Sequence, residues 1–310
     1  MITYYFKQEN GDQLKTLEAS SEDAWLNVDN ATEEDLAQIA TLTGLRHADL
    51  DDILDPHELP RIERVGENTI IFVRTPQDNS SLKGGEKYLY TDPLAIIIND
   101  KYFITLGMAK NSCVARLLAL KSDVTTAQRG KLLIYLLLLI SEEFVGEIRN
   151  VRKDVLSMQR KVKRVTDRDI LNLVEDEEIL NQYLSALVPM STVLEQMVSG
   201  RRLTFLPDDN ELLEDMINST RQSIDLCTVN IKSIQSLRDS YQIVFTNRLN
   251  KTIKTLTLFT ILMTIPMVLS SIYGMNIKLP LGDHPQAFLM LMMIALSAMG
   301  AFVLYYRKKL

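Results

Sequence analysis

The spacing of apolar positions changes character along the chain. Through residues 1–110 apolar side chains come in short runs between Gly, Asn and Asp breaks, at Ile2–Phe6, Asn68–Arg74, Leu94–Ile98 and Tyr102–Leu106. These runs are rich in β-branched and aromatic residues and predict strands. Thr32-Glu33-Glu34-Asp35 predicts a capped helix running toward Leu42, with Gly44 as its stop. A second short helix is expected over His47–Leu54, ahead of Pro56. The fold class expected here is α+β, a mixed sheet with helices.

Beyond residue 110 the apolar period lengthens to that of helices. One helix around Ser112–Ser122 leads to a long one from about Thr126 to Val165, in which Phe144, Ile148, Val151, Val155 and Met158 recur every three or four residues. Asp167–Val198 predicts its return. Pro207-Asp208-Asp209-Asn210-Glu211 then opens a helix, with acids against its N-terminal dipole. No glycine follows before Gly274, and the only proline on the way is Pro266. At 1.5 Å per residue this predicts roughly 100 Å of continuous helix. Leu212, Met216, Ile224, Leu226, Ile231, Ile234, Leu237, Ile243 and Leu249 keep one face apolar. A coiled-coil stalk has the same pattern, so the pattern alone leaves both uses open.

The C-terminal end is apolar on a different scale. Thr255–Ile277 is 23 residues without a charge, and 22 more separate His284 from Arg307, of which Ala287–Tyr306 are strongly apolar. Crossing a bilayer takes about 20 helical residues, so both segments are long enough. The nine apolar residues Leu132–Ile140 are too few, and predict a buried core helix. Arg248, Lys251 and Lys254 precede the first span; Arg307, Lys308 and Lys309 follow the second. The connecting loop, Lys278–His284, carries only Lys278, Asp283 and His284. Positive residues stay inside, so both termini are expected in the cytoplasm of a bacterial inner membrane with the loop outside. The N-terminus lacks the basic and apolar regions of a signal peptide. The expected organisation is a cytoplasmic α/β domain over 1–110, a helical region over 111–250, a first span over 251–277, a loop over 278–286, a second span over 287–306 and a basic tail over 307–310.

Composition is ordinary, with 46% hydrophobic and 24% charged residues, which excludes a disordered or collagen-like chain. Charge is uneven. Arg248–Leu310 holds seven Lys/Arg and one acid, a net of +6, so the rest of a chain of net charge −6 carries −12. An acidic body of that size argues against a nucleic-acid partner. Cys113 and Cys227 form no CxxC pair and predict free thiols in a reducing compartment. His47, His57 and His284 are dispersed, and there is no GxSxG or GxxxxGK[ST] segment, so an enzyme and an ATP-driven pump are both unsupported.

The first span also carries polar residues, Thr257, Thr260, Thr264 and Ser271, with Asn250 just below, spaced mostly to one side. Their hydroxyls predict either a packing face or a water-lined path, and both favour oligomers. The span ends Tyr273-Gly274-Met275-Asn276, directly before the loop. Here the chain resembles the CorA family of divalent-cation channels, over its whole length. Tyr273–Asn276 matches the family signature in full. Asn247–Thr257 is similar to the family's Asn-x-x-Met-Lys-x-Leu-Thr approach to the first span, and Asp55–Glu63 to the segment leading into its sheet. The basic end, Arg307-Lys308-Lys309, is also in pattern. The resemblance implies a homopentameric funnel in a lipid bilayer, its central pore lined by the first span, with no organic cofactor and no further protein partner.

Mg²⁺ sheds its six waters reluctantly, so a selective mouth should read the hydrated ion. One Asn276 amide per subunit could accept hydrogen bonds from that water without trapping the ion, with Gly274 letting the backbone come close. Asn276 also suits a plain helix C-cap. The resemblance places Thr260, Thr264, Met267 and Ser271 toward the pore, Ile253 and Leu256 at a cytoplasmic constriction, and Asn250 as a polar ring below. Ile253 stands where the family more often has Met. Influx down an inside-negative potential releases about 4.6 kcal/mol per 100 mV for a dication, enough to drive uptake passively. The resemblance further implies closure by cytoplasmic Mg²⁺ bound between subunits, with Asp215, Asp78 and Asp239 as candidate ligands; each also reads as a solvated acid. Co²⁺ or Ni²⁺ are expected as further cargo. The alternatives are a Zn²⁺ transporter of the same superfamily, since the loop lacks the family's Met-Pro-Glu-Leu segment and offers His284, and a membrane-anchored coiled-coil scaffold.

Overall fold

A computed structural model describes residues 2–7, 14–19, 21–77, 90–119, 124–160, 165–200, 205, 207–276 and 285–309. The chain divides into two compact units, Met1–Arg238 and Asp239–Leu310.

The first unit opens with strands β1 (Ile2–Phe6), β2 (Lys15–Leu17) and β3 (Trp25–Val28), then helix α1 (Glu33–Thr43). After it come β4 (Arg61–Val65), β5 (Asn68–Pro76), β6 (Thr91–Ile98) and β7 (Phe103–Gly107). They form one sheet in the order β2-β1-β3-β7-β6-β5-β4. Only β3 and β7 pair in parallel, with Trp25 opposite Phe103; the other neighbours are antiparallel. The mixed sheet is therefore present, with three strands that the apolar runs did not single out. β2 has three residues and β3 four, too short for alternation to register. β4 and β5 form a hairpin around Gly66, whose φ of 62° is what a two-residue loop demands at its first position.

α1 starts as its sequence predicts. Thr32 Oγ1 accepts from the Asp35 N–H at 3.3 Å while the Asp35 carboxylate accepts from the Thr32 N–H at 3.2 Å, and Gly44 ends the helix in the left-handed region. Leu36 and Ile39 then pack with Leu26, Val28, Ile70, Phe72, Ile97 and Ile104 in one core. The short helix expected over His47–Leu54 is instead two 3₁₀ turns, His47–Asp49 and Asp51–Leu54, parted at Leu50. Asp49 caps the Arg46 N–H and Pro56 follows closely, which leaves no room for an α-helical run.

Helices α2 (Ser112–Ala119), α3 (Arg129–Arg160) and α4 (Asp167–Val198) follow. α3 begins three residues later than its pattern predicts because Thr126 is engaged elsewhere. Its N–H donates to the Lys7 carbonyl and its hydroxyl accepts from the Lys7 N–H, so it extends the end of β1. α3 lies over β5 and is buried at seven of the nine positions Leu132–Ile140, the run too short to span a membrane. Phe144 of α3 meets Tyr183 of α4 edge-on at 5.3 Å.

Helix α5 (Pro207–Tyr273) belongs to both units, Pro207–Arg238 to the first and Asp239–Tyr273 to the second. In the first unit its buried positions Asp209, Leu213, Met216, Thr220, Ser223, Cys227, Asn230, Ile234 and Leu237 alternate by four and three, with Ile217 buried beside Met216. α4 shows the same alternation from Leu173 to Met197. Antiparallel α4 and α5 are tied by Arg221–Glu195 at 2.7 Å and Arg238–Glu177 at 2.8 Å. Such a repeat buries one stripe per helix, as in a coiled coil. Cys113 and Cys227 are both free and buried.

The second unit holds the rest of α5 and helix α6 (Ala287–Lys309). Both are long and apolar enough to cross a membrane, and no residue of the apolar stretch of α5 is buried within the chain.

Candidate functional site

The C-terminal part of α5 is an apolar helix with a polar seam. Successive residues turn by about 100°, so Asn250, Ile253, Leu256, Thr257, Thr260, Thr264, Met267 and Ser271 fall within about 120° of one another. All are described on a continuous helix. Ile253 is 51% exposed, and Leu256 and Met267 are each 66% exposed. Apolar side chains exposed to that degree over many turns require cover from lipid or from other copies.

The threonine hydroxyls of the seam are already committed as donors. Thr257 donates to the Ile253 carbonyl at 2.9 Å, Thr260 to that of Leu256 at 3.0 Å, and Thr264 to that of Thr260 at 2.7 Å. A hydroxyl has one proton and two lone pairs. With the proton spent inside the helix, each oxygen presents only acceptor capacity outward. That suits the protons of water around a cation, and disfavours an anion.

α5 ends where the seam ends. The Gly274 N–H still reaches the Ser270 carbonyl at 2.9 Å, and the Met275 N–H closes a tighter turn on Ile272 at 3.3 Å. A side chain at Gly274 would put its Cβ 3.2 Å from the Ser270 oxygen, so glycine keeps this last turn uncrowded. Tyr273 is half-buried, and Gly274, Met275 and Asn276 are exposed. The structure thus places Tyr273–Asn276 at the end of the helix that carries the hydroxyls, with Tyr273 itself on the side opposite to them.

The acidic candidates are not brought together. Asp215 is exposed on α5 in the first unit, and Asp239 lies in the second, in a shallow groove with Gln242, Ile243, Thr246 and Asn247 on one face of α5. Asp78, like the loop residues Lys278, Asp283 and His284, lies outside the described residues. Among the described residues no three His, Cys, Asp or Glu side chains converge to hold a metal ion.

A model of the CorA-like Mg²⁺ transporter proteins matches residues 21–308. The chain belongs to that family. A cobalt/magnesium transport protein CorA from Methanocaldococcus jannaschii is 25% identical over 320 residues, covering 99% of each chain. A zinc transport protein ZntB from Pectobacterium atrosepticum is 19% identical, over 80% of this chain and 76% of its own. The solved structure of the M. jannaschii CorA magnesium transporter superposes with a TM-score of 0.78 at 22% identity, over 99% of this chain and 97% of that one. The fold is therefore the CorA fold, and the family is one of membrane divalent-cation transporters.

One titratable group was not anticipated. Asp176 occupies a buried position in the α4 repeat between Leu173 and Leu180, and its Oδ2 has no hydrogen-bond partner. Burial, with Asp154 and Glu175 nearby, pushes its carboxyl up to about 7. The signal was present in the sequence, as the one acid in an otherwise apolar three-four repeat.

Proposed function

We propose that the chain forms a homopentameric channel for passive, potential-driven influx of hydrated Mg²⁺, with Co²⁺ or Ni²⁺ as further cargo. The seam of α5 lines its pore. The observation that carries this reading is the coincidence of three features on one helix: acceptor-only threonine oxygens and, toward the cytoplasmic end, exposed Ile253 and Leu256 share a face, and Tyr273-Gly274-Met275-Asn276 closes the other end.

Each part has a distinct task. A ring of Asn276 amide oxygens accepts from the ion's water shell and selects a hydrated dication, while an amide holds it weakly enough to release. Thr260, Thr264 and Ser271 continue the acceptor surface inward, with Met267 between them. Rings of Ile253 and Leu256 exclude water when close together and conduct when they part, and Asn250 re-wets the path below. Asp215, Asp239 and Asp78 are the candidate oxygen ligands through which cytoplasmic Mg²⁺ favours the closed state, with ligands from neighbouring subunits. Arg248, Lys251, Lys254 and the Arg307-Lys308-Lys309 tail set both termini on the cytoplasmic side of an inner membrane. The two spans in this reading are 251–277 and 287–306.

A second reading has support from the ZntB relative: Zn²⁺ transport through the same seam. One experiment separates them. Protein in proteoliposomes is given an inside-negative potential, and Mg²⁺, Co²⁺ and Zn²⁺ uptake are followed by internal dyes for the natural chain and Asn276→Ala. Mg²⁺ uptake that disappears in the variant supports selection at Asn276. Zn²⁺ uptake without Mg²⁺ moves the cargo to zinc. No uptake of any dication by either protein leaves a scaffold.

A further inference from the structure

Residues 149–168 hold eight Lys/Arg and two Asp, a net of +6 within a chain of net −6. The described members lie on the ends of α3 and α4 that adjoin each other in sequence. On α3, Arg149, Arg152, Lys153, Leu156 and Arg160 are all exposed, and at about 100° per residue they share an arc of about 100°. That arc faces away from the buried stripe of Ile148, Val151, Val155 and Met158. Leu156 stands 45% exposed at its centre. On the first turns of α4, Arg168 is exposed beside Leu171, which is 68% exposed.

Among the described cations of the same unit some are paired and others, such as Arg64, Lys101 and Lys131, are not. Arg46, Arg61, Arg116, Arg129, Arg221 and Arg238 each hold a carboxylate. Arg149, Arg152, Lys153, Arg160 and Arg168 hold none among the described residues. Their position within the unit is particular. Glu177, near the start of α4, pairs with Arg238, the last residue of the first unit. The basic ends of α3 and α4 therefore lie at the same end of the unit as Arg238.

Unpaired cations around exposed leucines are what an anionic headgroup layer recognises: charge gathers at the phosphate plane and the leucines enter the acyl boundary. We propose that this basic face of α3, with the first turns of α4, docks on an anionic lipid surface and so couples the first unit to membrane composition. The proposal rests on the membrane-spanning reading of the C-terminal segments, but not on what the pore conducts.

The test uses the full chain in lipid nanodiscs. Leu156→Cys places a single reactive thiol at the centre of the arc, because Cys113 and Cys227 are both fully buried. An environment-sensitive fluorophore there is read in discs of phosphatidylcholine alone and of phosphatidylcholine with one-third phosphatidylserine, with brominated lipid as quencher. Quenching is expected in the anionic discs, weak quenching in neutral ones, and loss of the anionic signal in high salt. Adding Arg149→Gln, Arg152→Gln, Lys153→Gln and Arg160→Gln should reduce quenching at least fivefold. All four are surface positions, and unchanged unfolding of the buried Trp25 reports an intact fold. Equal quenching in both lipids, or quenching untouched by the four substitutions, overturns the proposal. So does a lipid-independent signal accompanied by cross-linking of the introduced thiol to a second copy, which assigns the face to another subunit. A chain that fails to co-migrate with the discs overturns the spanning reading first, and is told apart by that assay alone.

Discussion

Replacing Asp176 by Asn removes a titration that the fold makes costly. In the folded protein the carboxyl protonates at about pH 7, against about 3.9 for an ordinary aspartate. The folded pKa is the higher one, so the folded state binds the proton more tightly. Stability from this group is therefore complete below about pH 4 and is lost as pH rises through 7. That displacement corresponds to roughly 4 kcal/mol, at about 1.4 kcal/mol for each tenfold change in proton affinity. Asp176 still meets water at its margin, being 9% exposed, and screening there brings the expected penalty to about 2 kcal/mol. In a unit of this size that is about 4–8 °C in Tm. The assay is thermal unfolding of the detergent-solubilised full chain from pH 4 to 8, followed by the fluorescence of Trp25, the only tryptophan, which is 1% exposed in β3. The Tm of Asp176→Asn minus that of the natural protein should rise across pH 4–7 and level off above. A difference that is flat across this range would refute the burial argument, whatever its absolute size.

Three further outcomes are expected. Ile253→Asn should wet the constriction and raise resting Mg²⁺ uptake several-fold in the proteoliposome assay; uptake unchanged from the natural protein would remove Ile253 from the gate. Arg74→Leu should lower stability by about 3 kcal/mol, because the buried guanidinium donates to the Pro56, Glu58 and Thr91 carbonyls, and these lose their partner. A Tm within a degree of the natural one would contradict this. Thr166→Ala should cost about 1 kcal/mol by removing the capping box at the start of α4, where Thr166 and Asp169 satisfy each other's backbone N–H, and should show as faster hydrogen exchange in that first turn.

Much of the architecture was legible because it rests on local chemistry. The Thr32 capping box, the Pro207 start of α5, the two apolar C-terminal segments and the polar seam on the first of them are consequences of spacing alone. So is the place of Tyr273–Asn276 at the end of that helix. The misses have tertiary causes. Thr126 was expected in a helix, but its N–H and hydroxyl are taken by Lys7, a residue 119 positions away. β3 is too short to announce itself and exists because β1 and β7 supply its hydrogen bonds on either side. Asp176 is the one acid in the apolar repeat of α4, a local sign of burial, but that its Oδ2 finds no partner there is a tertiary outcome.

By itself the sequence determined the period of every long helix, the length of its apolar segments and the face on which its hydroxyls lie, since these depend only on residues a few positions apart. Tertiary structure decided which strands complete the sheet, where α3 begins and which carboxyl loses its water. Those outcomes depend on groups brought together from distant parts of the chain, and no local pattern encodes the partner.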